Sequence, residues 1–201
     1  MNTEELILKK TFGLLLLKGF DATSITDIQV ATGLSRGLLY HYFKNKEELF
    51  IQVTEKFFIQ IFDFDIRKAK DYTVTEFIGF MCDRFCNISK VISGIVEETG
   101  SIKDVSMLNY HFLFYQVMQR DAIFRNNYRT TTEKERIGWE YALKNSIERN
   151  EIRIDIDVDV SANQLFTLTD GIWFQGIFSS DGQSVIRNLE NTLRHYITLL
   201  K

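Results

Sequence analysis

Residues 35–46 include three basic side chains, Arg36, Lys44 and Lys46, and no acidic one. A local stripe of that kind is suited to neutralising nucleic-acid phosphates. At helical spacing Leu34, Leu39 and Phe43 turn towards neighbouring helices, which leaves Arg36, Gly37, Tyr40 and His41 facing outwards. Gly37 has no side chain to hold the backbone away from a phosphate or a base edge.

The other chemically capable residues form no comparable set. Cys82 and Cys86 share one face of an expected helix, but no third or fourth ligand stands nearby, and Phe80, Met81 and Phe85 mark the surroundings as apolar. No metal and no cofactor are therefore expected. Asp155, Asp157 and Asp159 imitate the opening of a calcium loop, yet Val160 stands where glycine is required and Phe166 where the closing glutamate belongs. His111 and His195 are isolated, nothing is spaced to complete a triad, and no glycine-rich phosphate loop occurs. No catalytic residue is assigned, and the chain is not expected to be an enzyme.

Short helices must position the basic stripe. Ile7, Leu14 and Leu15 recur at helical spacing in a first helix over residues 4–18, which Gly19 stops. Ser24, with Asp27 at the third helical position, opens a short second helix through Ile28 and Val30 to Gly33. Ser35 caps a third over residues 36–43, and the glycine turn between the two makes a helix-turn-helix. Asn45, followed by Glu48, caps a long helix through Leu49, Phe50, Val53, Phe57, Phe58 and Ile61. Further helices are expected near 74–91, 104–119, 121–149, 161–179 and 183–200. Residues 152–160 alternate apolar and acidic at a strand period, but no second alternating run exists to pair with them. An extended connection leading to an N-cap at Asp159 or Ser161 is the expectation.

Composition agrees with an all-helical reading. The 201 residues are 45% hydrophobic and 25% charged with no proline, so a real core and uninterrupted helices are available, while collagen-like and disordered classes are excluded. Against 24 Lys and Arg stand 27 Asp and Glu, so any nucleic-acid site must be local. Two cysteines make no disulfide framework and the start resembles no signal peptide, which points to a reducing cytoplasm. The apolar run 14–17 is far too short to span a membrane, and no membrane partner is expected.

Gly19-Phe20, Thr23, Asp27-Ile28, Thr32-Gly33-Leu34-Ser35, Gly37, Tyr40, Tyr42-Phe43, Lys46 and Leu49 together resemble the tetracycline-repressor (TetR) family of bacterial transcriptional regulators. The resemblance is specific over about the first fifty residues, with a weaker echo over 150–178, including Asp170-Gly171. Gln29 and Thr32 depart from the family's frequent alanines. The resemblance implies a homodimer that sets two recognition helices in successive major grooves of operator DNA, with a helical domain whose small-molecule ligand releases the DNA. Carried over by position, Arg36, Leu38 and His41 occupy the base-reading face, and Arg36 can reach both major-groove acceptors of a guanine. Thr26, Ser35, Tyr40, Tyr42 and Lys46 match positions suited to phosphate contact; packing is the other reading of the two tyrosines.

In the last helix Ile186, Leu189, Leu193, Tyr196 and Leu200 form a seam for another helix. With Leu165, Ile172 and Gly176 of the preceding helix it suits a four-helix interface between subunits, although internal packing would use the same stripe. Met81, Phe85, Tyr110, Phe114, Trp139 and Trp173 fall within the later helices and are candidates to line an apolar ligand pocket, with simple core as the alternative for each. The expectation is an all-α protein: residues 1–47 a helix-turn-helix domain, residues 48–201 a ligand-binding and dimerisation domain. Its expected function is that of a dimeric, ligand-released repressor. A small-molecule carrier or enzyme with a vestigial helix-turn-helix is the alternative.

Overall fold

Without proline, the chain must end its helices with capping side chains and glycines, and the boundaries follow these residues. A computed structural model describes residues 2–98, 107–179 and 182–201. Among them run α1 (Thr3–Ala22), α2 (Ile25–Thr32), α3 (Arg36–Tyr42), α4 (Lys46–Thr54), α5 (Val74–Glu98), α6 (Met107–Arg120), α7 (Ala122–Glu148), α8 (Val158–Gln175) and α9 (Gly182–Thr198). The described residues contain no strand, and the fold is all-α. A π-helical turn (Glu55–Gln60) continues α4, and 3-10 turns occupy Ile66–Ala69 and Gly176–Phe178. The start expected near residue 104 lies outside the described residues.

Several boundaries differ from expectation: α1 continues past a kink at Gly19 to Ala22, and α8 ends at Gln175. Asp157, not Asp159 or Ser161, caps α8: its Oδ1 accepts from the Val160 N–H at 3.1 Å. The other acids of that run are tied elsewhere, Asp155 to Arg153 at 3.2 Å and Asp159 to Arg136 at 3.0 Å. Helix α5 runs on past residue 91 to Glu98.

The helices pack into two compact units, Met1–Ile61 with Lys90–Tyr128, and Phe62–Ser89 with Arg129–Lys201. In the first, Phe12 stacks on Phe57 at 4.3 Å and meets Phe58 edge-on at 5.9 Å. Phe58 in turn lies against Tyr110 at 4.6 Å and Phe114 at 5.6 Å. The buried Tyr110 hydroxyl donates to the Phe57 carbonyl at 3.2 Å, and burial raises its pKa well above the ordinary value. In the second unit Trp139 is wholly buried with Phe77 edge-on at 4.6 Å. Gly138 has no side chain because a Cβ there would run into the Phe77 ring.

Helices α8 and α9 pack on each other within this unit. Leu165, Ile172, Leu189, Leu193 and Leu200 are all buried inside the single chain. The sequence reading assigns this stripe to a subunit interface, with internal packing as the other use of the same residues; within the single chain these five side chains already pack internally. Gly176 is buried too, against Val185, while Ile186 and Tyr196 are half-buried.

Candidate nucleic-acid interface

Helix α2 is held at its start by a reciprocal capping box. Ser24 Oγ accepts from the Asp27 N–H at 3.1 Å, while Asp27 Oδ2 accepts from the Ser24 N–H at 2.8 Å. Lys18 of α1 donates to Asp27 Oδ1 at 2.8 Å. That bond and those from Ser24 hold the Asp27 carboxyl well below the usual carboxylate range. Helix α1 breaks at Gly19, whose φ of +73° is a left-handed backbone that glycine adopts freely. Gly33, at φ +70°, ends α2, and its N–H donates to the Gln29 carbonyl at 2.8 Å. Thr32 turns its hydroxyl back to the Ile28 carbonyl at 2.7 Å.

Ser35 caps α3, accepting from the Leu38 N–H at 3.2 Å. Leu39 and Phe43 are 3% exposed and fix the helix to its neighbours, with Leu34 half-buried beside them. The opposite face carries Arg36, Gly37, Leu38, Tyr40 and His41, all exposed, with Ser35 at its start and exposed Thr26 on α2. The Arg36 guanidinium lies 5.5 Å from the centre of the Tyr40 ring. Tyr42 is half-buried, edge-on to His41 at 5.3 Å.

Lys46 differs from the rest. Its Nζ donates to the Phe20 carbonyl at 2.6 Å and sits 4.2 Å from the centre of the Phe20 ring, so part of its donor capacity closes the helix-turn-helix onto the kink of α1. Asn45 caps α4 as expected, accepting from the Glu48 N–H at 2.7 Å, but the Glu48 carboxylate takes the N–H of Lys44, one residue before the cap.

Sequence reasoning missed the residues of α6 that grip the same kink. Gln116 Oε1 accepts from the Phe20 N–H at 3.5 Å, and Asn109 donates to the Leu16 carbonyl at 3.1 Å. Arg120 pairs with Asp21 at 2.5 Å and covers Phe20 at 4.9 Å. These partners lie 93 to 99 residues apart along the chain, beyond any local pattern.

The six aromatic and methionine candidates for a ligand pocket divide between the units. Tyr110 and Phe114 are part of the first unit's ring cluster. Met81, Phe85, Trp139 and Trp173 belong to the second, where Trp173 lies on Phe85 at 4.9 Å and edge-on to Phe62 at 6.0 Å. A cleft of ≈ 630 Å³ in the first unit is lined by Glu5, Leu8, Ile51, Glu55, Asp121 and Phe124, among others, and by none of the six. Burial pushes the Cys82 thiol up to about 11, and among the described residues no His, Cys, Asp and Glu group could hold a metal ion. Nor is any described helix long and apolar enough to cross a membrane.

Residues 7–53 match the family model described as bacterial regulatory proteins, tetR family. No curated protein matches the chain in sequence. Among solved structures, a TetR transcriptional regulator from Chloroflexus aurantiacus is 22% identical with a TM-score of 0.66, the match covering 98% of this chain and 94% of that one. SmeT, the repressor of the Stenotrophomonas maltophilia multidrug efflux pump SmeDEF, is 17% identical over 99% of this chain and 90% of its own, with a TM-score of 0.67. The SmeT complex with triclosan gives 18% identity and a TM-score of 0.70 over 99% and 92%. The helix-turn-helix of residues 7–53 therefore belongs to the tetR family of bacterial regulatory proteins, and the chain as a whole has the fold of TetR-family regulators.

Proposed function

We propose that this protein is a homodimeric transcriptional repressor that a small-molecule ligand releases from its operator. The observation that carries this reading is the exposed face of α3. Arg36, Gly37, Leu38, Tyr40 and His41 face solvent while Leu39 and Phe43 anchor the same helix from behind. Arg36, Leu38 and His41 read base edges; Thr26, Ser35, Tyr40, Tyr42 and the remaining donors of Lys46 hold phosphates. Residues 1–47 act as the reading head and residues 48–201 as the part that pairs the subunits and senses the ligand.

Two heads bind together only when they stand about 34 to 36 Å apart, one turn of DNA. Pairing falls to the outer face of α8, where Val160, Gln164, Thr167, Gly171 and Phe174 are exposed at alternating helical spacings of four and three. Gly171 lets a facing helix approach closely there, and a Cβ at that position would touch nothing in its own chain. Helix α6 couples ligand to head, because Asn109, Gln116 and Arg120 hold the kink at Gly19 from which α2 and α3 follow. A ligand that shifts α6 alters the head, and tenfold weaker DNA binding needs about 1.4 kcal/mol of preference for the released arrangement. SmeT, a repressor with a solved triclosan complex, has a similar fold and supports a ligand-released repressor reading.

Selecting binding sites from random duplexes and then repeating the selection with Arg36→Ala tests the assignment. The variant should lose about 1 to 3 kcal/mol and relax its preference at one base pair per half-site. An unchanged consensus at full strength removes Arg36 from base reading. Tight binding of a small molecule or turnover, with no selected sequence at all, would favour a carrier or an enzyme.

A further inference from the structure

The cleft of ≈ 630 Å³ in the first unit lies between the start of α1, helix α4 with the π-helical turn that follows it, and the start of α7. A space of that size suits a small organic molecule. Its apolar lining is partly open to water: Leu8 and Phe124 are buried, whereas Ile51 and Ile123 are 50% and 74% exposed. An apolar body seated in the cleft would take both isoleucines out of water.

The charged lining is unbalanced, with Glu4, Glu5, Glu55 and Asp121 against Lys56 alone. Lys56 stands 3.8 Å from Glu5, which leaves the other three carboxylates unneutralised by it. Asp121 is fixed at the start of α7, where its Oδ1 accepts from the N–H groups of Ile123 at 2.8 Å and Phe124 at 3.0 Å. Glu55 is half-buried and enters no ion pair among the described residues. It opens the π-helical turn that Gln60 closes. Bonding from residue i to i+5 brings positions five apart nearer to one face than an α-helix does, and both side chains line the cleft. Such turns are rare and frequent at functional sites.

This lining selects by charge and by shape. A bare metal ion does not fit, because among the described residues no His, Cys, Asp and Glu group could hold one. The acidic excess disfavours anions. A cation carried on an apolar body satisfies both parts of the lining at once. Position gives such a molecule a hold on the head: α1 and α4 wall the cleft, and Asp121 directly follows Arg120, which pairs with Asp21 beside the kink of α1.

We propose that this cleft binds a lipophilic organic cation, its charge held by Glu55 with Glu4 and Asp121 and its apolar body covering Ile51 and Ile123. The proposal rests on the ligand-responsive reading above and names the site and the chemical class of that ligand.

Calorimetric titration of the full-length protein with 2-naphthylmethyltrimethylammonium, 2-naphthylmethanol and 2-naphthylmethanesulfonate tests it, since the three share a ring and differ in charge. The ammonium should bind at least about tenfold more tightly than the alcohol, and the sulfonate more weakly than either. Added salt should shrink the ammonium's advantage. Glu55→Gln should remove most of that advantage and leave the affinity for the alcohol unchanged. Ile123→Lys, at a position exposed enough to spare the fold, should do the same by setting a like charge in the cleft. Far-ultraviolet circular dichroism should stay native in both variants. Equal affinities for ammonium and alcohol, no binding of the ammonium, or an advantage untouched by either substitution each overturn the proposal. Operator binding on the same samples separates the two ideas: saturating ammonium should weaken the operator complex of the wild type but not that of Glu55→Gln. An operator complex that the ammonium leaves intact sinks this inference alone, whereas charge preference with no operator binding at all sinks the regulator.

Discussion

Replacing Lys46 with alanine removes one cation from two tasks, closing the helix-turn-helix and holding DNA. Inside the protein the ammonium makes a charged hydrogen bond of 2.6 Å to the Phe20 carbonyl and a cation–π contact at 4.2 Å. Charged hydrogen bonds contribute about 1.5 to 3 kcal/mol and cation–π contacts at exposed sites about 0.5 to 1. Lys46 is half-buried, and after truncation water can reach the freed carbonyl, so a loss of about 1 to 2 kcal/mol is expected. For a chain of this size that lowers the melting temperature by roughly 2 to 8 °C. On DNA the same change removes a phosphate contact: affinity should fall alike for operator and random duplex, and the slope of log affinity against log salt should shrink by about one. Scanning calorimetry reads the first effect, and fluorescence anisotropy at several salt concentrations reads the second. Unaltered melting would refute the anchoring role, and an unaltered salt slope would refute the phosphate contact.

Other substitutions probe separate parts of the account. Phe174→Asp, on a residue 43% exposed, should give folded monomers in sedimentation, whereas Leu193→Asp, at 0% exposure, should lower the melting point before any change of assembly is seen. Well-folded monomers of the Leu193 variant would contradict the internal seam. Gly138→Ala gains about 1 kcal/mol of helix propensity but forces a methyl into the buried Phe77 ring, an overpacking cost of about 1 to 3 kcal/mol, so a net fall in melting temperature is expected. Glu135 should make the protein pH-sensitive. Its carboxyl rises from 4.5 to about 8 on folding, so the native state keeps a proton that the unfolded chain has released, and stability declines as pH climbs between those values. Melting curves of Glu135→Gln against pH should lack this decline; curves parallel to the wild type would show the carboxyl is not buried as described.

What was legible in the sequence was local. Ser24 with Asp27, Ser35, and Asn45 are caps that announce themselves within three residues, and Gly19 and Gly33 both take the positive φ that a glycine stop requires. The face of α3 followed from one helical period. The α9 stripe was equally visible, but periodicity reports only that a face is buried; Leu189 and Leu193 are buried within the chain, where α9 packs on α8. Periodicity among alternating aspartates does not pick the cap; Asp157 holds that place, while Asp155 and Asp159 pair with arginines. Glu135 read as one more charge on a long polar helix. Its burial arises only when α5 and α8 bring Arg84 and Asp170 to it, and Lys46 likewise meets Phe20 across 26 residues.

The central claim, sequence-specific DNA binding by paired heads, is tested most directly by footprinting the purified protein on the intergenic DNA beside its own gene, at about 150 mM salt with excess nonspecific competitor. The account predicts a competitor-resistant complex protecting a near-palindrome whose half-sites lie about one helical turn, or a multiple of it, apart. A protein that protects no sequence there, and none in a genome-wide selection, would contradict it.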